Sequence, residues 1–373
     1  MKETRFRERP FEFLRRKDYV PFPEETVRNW YIARAYVLDK LKDVSFPPNS
    51  TGHLSVVVDG DSPLMLAVLR QTALSAHYLN FEEYDRLGRQ SCRNRTVITL
   101  VSRMEASGII GTLEKEEYLC NLLKYCKHSV FGTEHNGTSC IDLEIHIAGQ
   151  AGRESGGTVW MDEDDINGFL QRQAEDSVFT IDTRKAVLTH RVYQLGGQID
   201  NLPAEDIHCA ERYSHALDTF RYRLLRERIS PMVDEKHWRE DPTAVKNGLS
   251  DIFCSDCFEA RLSDVKNYAR ALSIPVEKAW ESIHEPLSCC EHHRWIVEKL
   301  IMGYRPLNAG ERIEYERLFG KERTYYVSRL KKDPCSPALI DLCSYRDLRR
   351  IDPDNMKYDS ILLLAIPLIL EKA

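Results

Sequence analysis

Between residues 51 and 225, apolar residues fall in short runs separated by longer stretches of helical periodicity. The run HLSVVV, residues 53–58, has the uninterrupted apolar character of a strand buried on both faces. A tight turn follows at Asp59-Gly60-Asp61-Ser62-Pro63. Pro63 fits a first helical turn capped by Ser62 or Asp61, and Leu66, Leu69, Ala73 and Leu74 then recur at helical spacing. Further strands are predicted over residues 96–102 (TVITLVS), 141–149 (IDLEIHIAG) and 177–182 (SVFTID). The last runs into a helix capped by Asp182 or Thr183. Strands alternating with helices predict a parallel sheet with crossover connections, a Rossmann-type α/β layer.

Outside that stretch the pattern changes. Residues 1–50 mix aromatic and basic side chains, end in FPPNS, and read as a helical arm and linker. From Asp206 onward strand signals fade, and segments such as LSDVKNYARALSI and EHHRWIVEKLIMGY carry helical spacing. A chain of 373 residues calls for two or three domains. The expected division is 1–50 arm and linker, 51–225 degenerate Rossmann-like domain, 226–275 helical connector and 276–373 helical C-terminal domain. The fold class is therefore α/β, with a parallel sheet domain followed by a mainly α-helical domain.

Composition narrows the function. With 42% hydrophobic and 29% charged residues the chain is globular. A net charge of −6 argues against a general nucleic-acid binder, and the run Arg221, Arg223, Arg226, Arg228 reads as a solvated helix face. Eleven scattered cysteines behind a charged N-terminus imply free thiols and a cytoplasmic setting. The apolar run ILLLAIPLIL is too short to cross a membrane that needs about 20 residues, so no membrane insertion is expected.

A Rossmann turn binds pyrophosphate through glycines and free helix N-terminal N–H groups. Here the pattern is reduced to Gly60, followed by Asp61, Ser62 and Pro63. Asp61 puts a negative charge where a phosphate would sit, and Pro63 removes a donor. The second strand ends at Ser102-Arg103 rather than at a ribose-binding acid, and Arg103 suits a 2′-phosphate or another anion. The glycine cluster from Gly149 to Gly157 lies at the ligand-binding edge of the sheet but lacks the lysine of a P-loop. A scaffold that has lost its cofactor and a crevice that still binds a nucleotide both fit. The candidate crevice comprises Gly60, Asp61, Ser62, Pro63, Ser102, Arg103, Gly149, Asp182, Thr183 and Arg184.

The densest chemistry is CCEHHRWIVEKLIMGYRP, residues 289–306. Cys254, Cys257, Cys289 and His293 would make a Cys₃His zinc set, although a lone CxxC is a weak signal. A nucleophilic cysteine would need a positioned base and an oxyanion site. A third reading is a ligand-binding helix: His292, Trp295 and Lys299 share one face, and an aromatic plane beside a cation and an imidazole would hold a flat anion. Trp295 as core filler is the structural alternative.

Glu291-His292-x-Arg294-Trp295, Lys299, Gly303-Tyr304, Lys332-Asp333-Pro334, Tyr345-x-x-Leu348 and Lys357-Tyr358-Asp359 together resemble the RyR domain, the repeat first recognised in ryanodine receptors and also found in bacterial proteins. The segment from Val56 to Val101 is similar to the TrkA-N-like Rossmann domain that precedes an RyR domain in bacterial proteins. Gly303-Tyr304 stands where the domain usually has Gly-Trp, and the turn at Gly60 departs from the family's G-x-G.

The resemblance implies a non-enzymatic ligand sensor for a nucleotide or NAD-derived molecule, in bacterial signalling or phage defence, with homodimer formation. Its pocket would comprise His292, Arg294, Trp295, Lys299, Tyr304, Lys332 and Tyr345. Trp295 would stack on a ring, Arg294, Lys299 and Lys332 would neutralise phosphate, and His292 would donate a hydrogen bond. No cofactor is fixed beyond a nucleotide or NAD(P)-type ligand. Two alternatives stay open: an NAD(P)-dependent oxidoreductase or nucleotide-processing enzyme, and a protein–protein interaction module without a small ligand.

Overall fold

The structure, a computed structural model, describes residues 24–84, 87–115, 117–137, 141–149, 158–176, 260–333 and 335–353, with 356 and 359. The glycine-rich residues 150–157, the expected strand at 177–182 and the basic run at 221–228 lie outside the described residues. So do Asp182, Thr183, Arg184, Cys254, Cys257, Pro334, Lys357, Tyr358 and the run at 361–370.

The chain forms an α/β layer around a six-stranded sheet. In order, the elements are α1 (Glu24–Leu41), β1 (Ser55–Asp59), α2 (Pro63–Ser75), β2 (Glu82–Tyr84), β3 (Gln90–Arg93), β4 (Thr96–Val101), α3 (Ala106–Lys115) and α4 (Glu117–Tyr125). They continue with β5 (Lys127–Val130), β6 (Thr133–His135), β7 (Leu143–Ala148), β8 (Thr158–Asp162) and α5 (Glu163–Asp176). Helical residues 260–272, α6, precede α7 (Val276–Ile301), β9 (Arg305–Pro306), α8 (Ala309–Arg317), α9 (Gly320–Lys331), β10 (Ala338–Leu339) and α10 (Tyr345–Ile351).

The large sheet has the order β6-β5-β7-β4-β1-β8, and only the β5–β6 pair is antiparallel. The parallel strands therefore run 3-4-2-1-5 in chain order, with β7 inserted between β4 and β5. The usual doubly wound order is 3-2-1-4-5. Three of the expected strands, β1, β4 and β7, form the sheet's centre. β5, β6 and β8 complete it at positions where the sequence pattern signalled no strand.

The strands alternate in burial. Val56 and Val58, Ile98 and Leu100, Ile145 and Ile147, and Met161 point to one face and are buried. Val57, Thr99, His146 and Trp160, on the opposite face, are only partly covered. The expectation that β1 is buried on both faces is thus corrected. Its apolar run is continuous because Val57 tolerates partial exposure.

α2 is the pivot of the layer. Met65 to Leu74 are all buried, including Arg70, Gln71 and Thr72, because α1, α7 and the sheet surround this helix. The stretch expected as an arm supplies α1, whose Ile32, Ala33, Tyr36 and Val37 pack on α2 in the main core. α7 packs on α4 and α2, and its Ile296, Val297, Leu300 and Ile301 join the same core as the strands. One hydrophobic cluster therefore spans the expected division at residue 276. Among the described residues, the C-terminal part is otherwise helical, with one two-residue parallel pair, β9–β10.

Candidate functional site

Two places concentrate chemistry: the carboxyl edge of the sheet between β1 and β8, and the middle of α7. β1 connects forward to β4 on one side and is flanked by β8 on the other. The strand order reverses there, where open α/β sheets bind ligands.

At that edge the protein's own carboxylates engage several donors. Gly60 has a φ of 133°, a region strained for any side chain, and its N–H donates to the Val101 carbonyl at 2.9 Å. Asp61 Oδ2 accepts from Ser102 Oγ at 2.8 Å and from the N–H groups of Arg103 and Met104 at 3.1 and 3.3 Å. Ser62 caps α2, accepting from the Met65 N–H at 3.4 Å beside Pro63 at the first helical position. Its hydroxyl donates to Glu163, the first residue of α5. Asp162, the register partner of Asp59, caps α5 by accepting from the Asp165 N–H at 2.8 Å.

The turn is therefore held by its own hydrogen bonds, with Asp61 facing the end of β4 and the Ser62 hydroxyl facing Glu163. Arg103 remains an exposed cation at the rim. Gly149 follows β7 so close to the Phe131 ring that a side chain's Cβ there would stand 3.4 Å from it.

In α7, residues 291–294 are all buried. His292 donates from Nε2 to the Cys343 carbonyl at 2.9 Å and faces Asp359 through Nδ1 at 3.1 Å. Burial opposes its charge, but Asp359 and the carbonyl outweigh burial and raise its pKa. Its ring stacks on Trp295 at 6.1 Å and 17°, with Tyr345 at 5.6 Å. Burial pushes the Tyr345 hydroxyl up.

Two of the three cations expected to meet phosphate are engaged internally. Arg294 binds Glu291 through Nε and Nη2, at 2.9 and 2.8 Å, and Glu298 through Nη1 at 2.6 Å. Lys299 binds Glu298 and lies 5.6 Å over the Trp295 ring. Burial works to raise the Glu298 carboxyl, but Lys299 and Arg294 hold it down at about 2. Tyr304 is buried in the main core, with its carbonyl accepting from Asn121. Lys332 is exposed at the end of α9. The structure thus joins His292, Trp295, Lys299 and Tyr345. Arg294 turns to its glutamates, and Tyr304 packs in the sheet core.

His293 faces a buried hub that the sequence pattern did not signal. His77 Nδ1, beyond the C-terminus of α2, meets both oxygens of Asp142 at 2.9 Å. His293 Nδ1 lies 3.6 Å from the same carboxylate, and Phe81 packs edge-on at 5.0 Å. Cys289 Sγ is 4.0 Å from His293 Nε2, which sets a thiol, an imidazole and a carboxylate in series. The electrostatics oppose a nucleophile. Burial, Cys290, Glu83, Asp142 and Asp359 push the thiol well up, while burial pushes His293 down to about 4.

A second series, Ser129–His146–Glu144, crosses the partly covered face of the sheet at 2.5 and 3.2 Å. β5 and β7 are interior strands, and their N–H groups belong to the ladders rather than to an oxyanion site. Among the described residues, no group of three or more His, Cys, Asp or Glu could hold a metal ion, and no helix is long and apolar enough to cross a membrane. The described cysteines are free thiols. Comparisons with family models, curated proteins and solved structures find no match for this chain.

Proposed function

We propose that the protein is a non-enzymatic sensor of a nucleotide or NAD-derived small molecule. The ligand seats at the carboxyl edge between β1 and β8, and α7 couples its presence to the C-terminal helices. The observation that supports this reading is the core shared by the two parts: α7 packs on α2, whose capped N-terminus forms the crevice wall. A shift at the turn therefore has a packed route to the helix carrying His292 and Trp295. Because Asp61 puts a negative charge on the turn, the ligand presents its ring and hydroxyls to the turn and its charge to Arg103.

A thermal-shift series with NAD, NADP, ADP-ribose, cyclic ADP-ribose and cyclic oligonucleotides tests the reading. A ligand at about 100 times its dissociation constant adds about 2.7 kcal/mol of stability. Each variant is compared with its own ligand-free form. Stabilisation lost in Arg103→Ala places the ligand at the crevice. Stabilisation lost only in Trp295→Ala moves it to α7. Asp61→Asn, which removes the competing charge, is expected to strengthen binding of any phosphate-bearing ligand. No stabilisation by any compound overturns the proposal and favours the interaction-module reading, which the exposed Phe319 and Tyr325 also suit.

A further inference from the structure

α9 carries a surface that neither the crevice nor the α7 cluster uses. Lys321, Tyr325, Arg329 and Lys332 recur at i, i+4, i+8 and i+11, which aligns them along one helix face, and all four are exposed. Tyr325 is 73% exposed, as is Phe319 at the helix's N-terminal end. Leu330 on the inner side is buried. Residues 320–332 hold five cations and one carboxylate, Glu322, in a chain whose net charge is −6.

Phe319 is held rather than loose. The Arg323 guanidinium lies 4.6 Å from the Tyr315 ring and 5.2 Å from the Phe319 ring, and its Nε donates to the Leu318 carbonyl at 2.6 Å. This fixes Phe319 while leaving most of it in water. Arg329 lies 5.2 Å over Tyr326. A pre-ordered apolar group costs less entropy on binding than a mobile one. Large aromatics kept in water beside cations mark an interaction surface.

We infer that the exposed face of α9 docks an acidic segment of another protein, one that sets apolar or aromatic side chains among its carboxylates. Charge complementarity selects this class of partner. A second copy of the chain fits poorly, because pairing α9 with itself sets Lys321, Arg329 and Lys332 against like charges. A polynucleotide fits less well than an acidic segment, because Glu314, Glu316 and Glu322 interrupt the positive field. Glu314 pairs with Arg317 and Glu316 with Arg350. The peptide brings apolar groups for Phe319 and Tyr325, and these make a short acidic segment sufficient. This inference goes beyond ligand sensing and does not depend on it.

The test is selection of random 16-residue peptides displayed on phage by the full chain, without small ligand. It is followed by fluorescence anisotropy on the enriched peptides and on a single-stranded oligothymidylate. The comparison protein is the surface variant K321E/Y325A/R329E/K332E, checked for unchanged circular dichroism and melting. Enriched peptides are expected to be acidic and to contain aromatic residues. They should bind the variant about tenfold or more weakly and lose affinity as salt rises. No enrichment, enriched peptides without negative charge, or equal binding to the variant overturns the inference. Tighter binding of the oligothymidylate also overturns it, in favour of a nucleic-acid surface.

Discussion

The crevice and the middle of α7 both hold carboxylates against donors, but they do so in opposite environments. Asp61 sits at the surface, half-buried, and its charge is met by a hydroxyl and two backbone N–H groups. Glu298 is fully buried and is met by two cations. At the edge, the carboxylate fixes a turn and can be replaced by another acceptor. In the core, it cannot lose its partners without leaving a bare charge in a medium that solvates it poorly. The first arrangement anchors a surface turn. The second holds a helix in place.

The largest expected effect breaks the buried side of this contrast. Arg294→Met leaves Glu291 and Glu298 without their guanidinium. Removing one partner of a buried pair costs about 3–5 kcal/mol, which urea denaturation would register as a large fall in midpoint. Arg294→Met combined with Glu291→Gln should recover much of that loss, since Glu298 keeps Lys299 and the carboxylate that met Nε and Nη2 is then neutral. A double variant no more stable than the single one would show that Arg294 acts through packing alone.

How far the sequence reveals this depends on how each part is stabilised. β1, β4 and β7 were legible because they sit at the sheet's centre and carry apolar runs. β5 is only Lys127–Val130 with a single apolar residue, and β8 (Thr158–Asp162), as long as β1, is an edge strand whose apolar run is only Val159–Met161. The turn at Gly60–Pro63 was legible because capping is local chemistry. The neutralisation of Arg294 was written in the spacing of Glu291 and Glu298, but their burial was not, because it comes from α4 and α2. The His77–Asp142–His293 hub joins residues far apart in sequence, so no local pattern announces it.

A smaller effect is expected at the surface turn. Asp61→Ala strips the acceptor from Ser102, which is buried, and from two N–H groups. The cost is about 1–3 kcal/mol. Asp61→Asn keeps an acceptor and should cost less, and a loss equal to that of Ala would show that charge rather than hydrogen bonding fixes the turn.

pH separates two buried groups of opposite sign. Burial pushes Glu83 up to about 7 from an ordinary 4.5, against the pull of His292 and Ser344. The fold therefore favours its neutral form. That contribution is complete below about 4.5 and is lost as pH rises through about 7. Glu83→Gln should leave stability unchanged at pH 4 and raise it at pH 8, where the wild-type carboxyl must ionise in a buried site. His293 runs the other way. Burial holds it down at about 4 from an ordinary 6.5, so the unfolded chain gains the proton first and stability falls as pH drops from about 6.5 to about 4. His293→Gln should reduce that acid slope, and a variant whose slope matches the wild type would remove His293 as its source.

The smallest effect is the sharpest control. Lys278 and Glu281 pair at 2.8 Å on the outer face of α7, the same distance as Arg294 Nη2 to Glu291. If distance set the strength of an ion pair, Lys278→Ala and Arg294→Met would be comparable. Both partners of the outer pair are largely in water, where the gain in attraction is offset by lost hydration and side-chain freedom. Lys278→Ala should therefore leave the urea midpoint where it is, at low salt and at high salt alike. A clear loss of stability at low salt that disappears at high salt would mean that the outer face of α7 contributes through charge. The contrast between the helix's buried middle and its wet flank would then be weaker than burial alone implies.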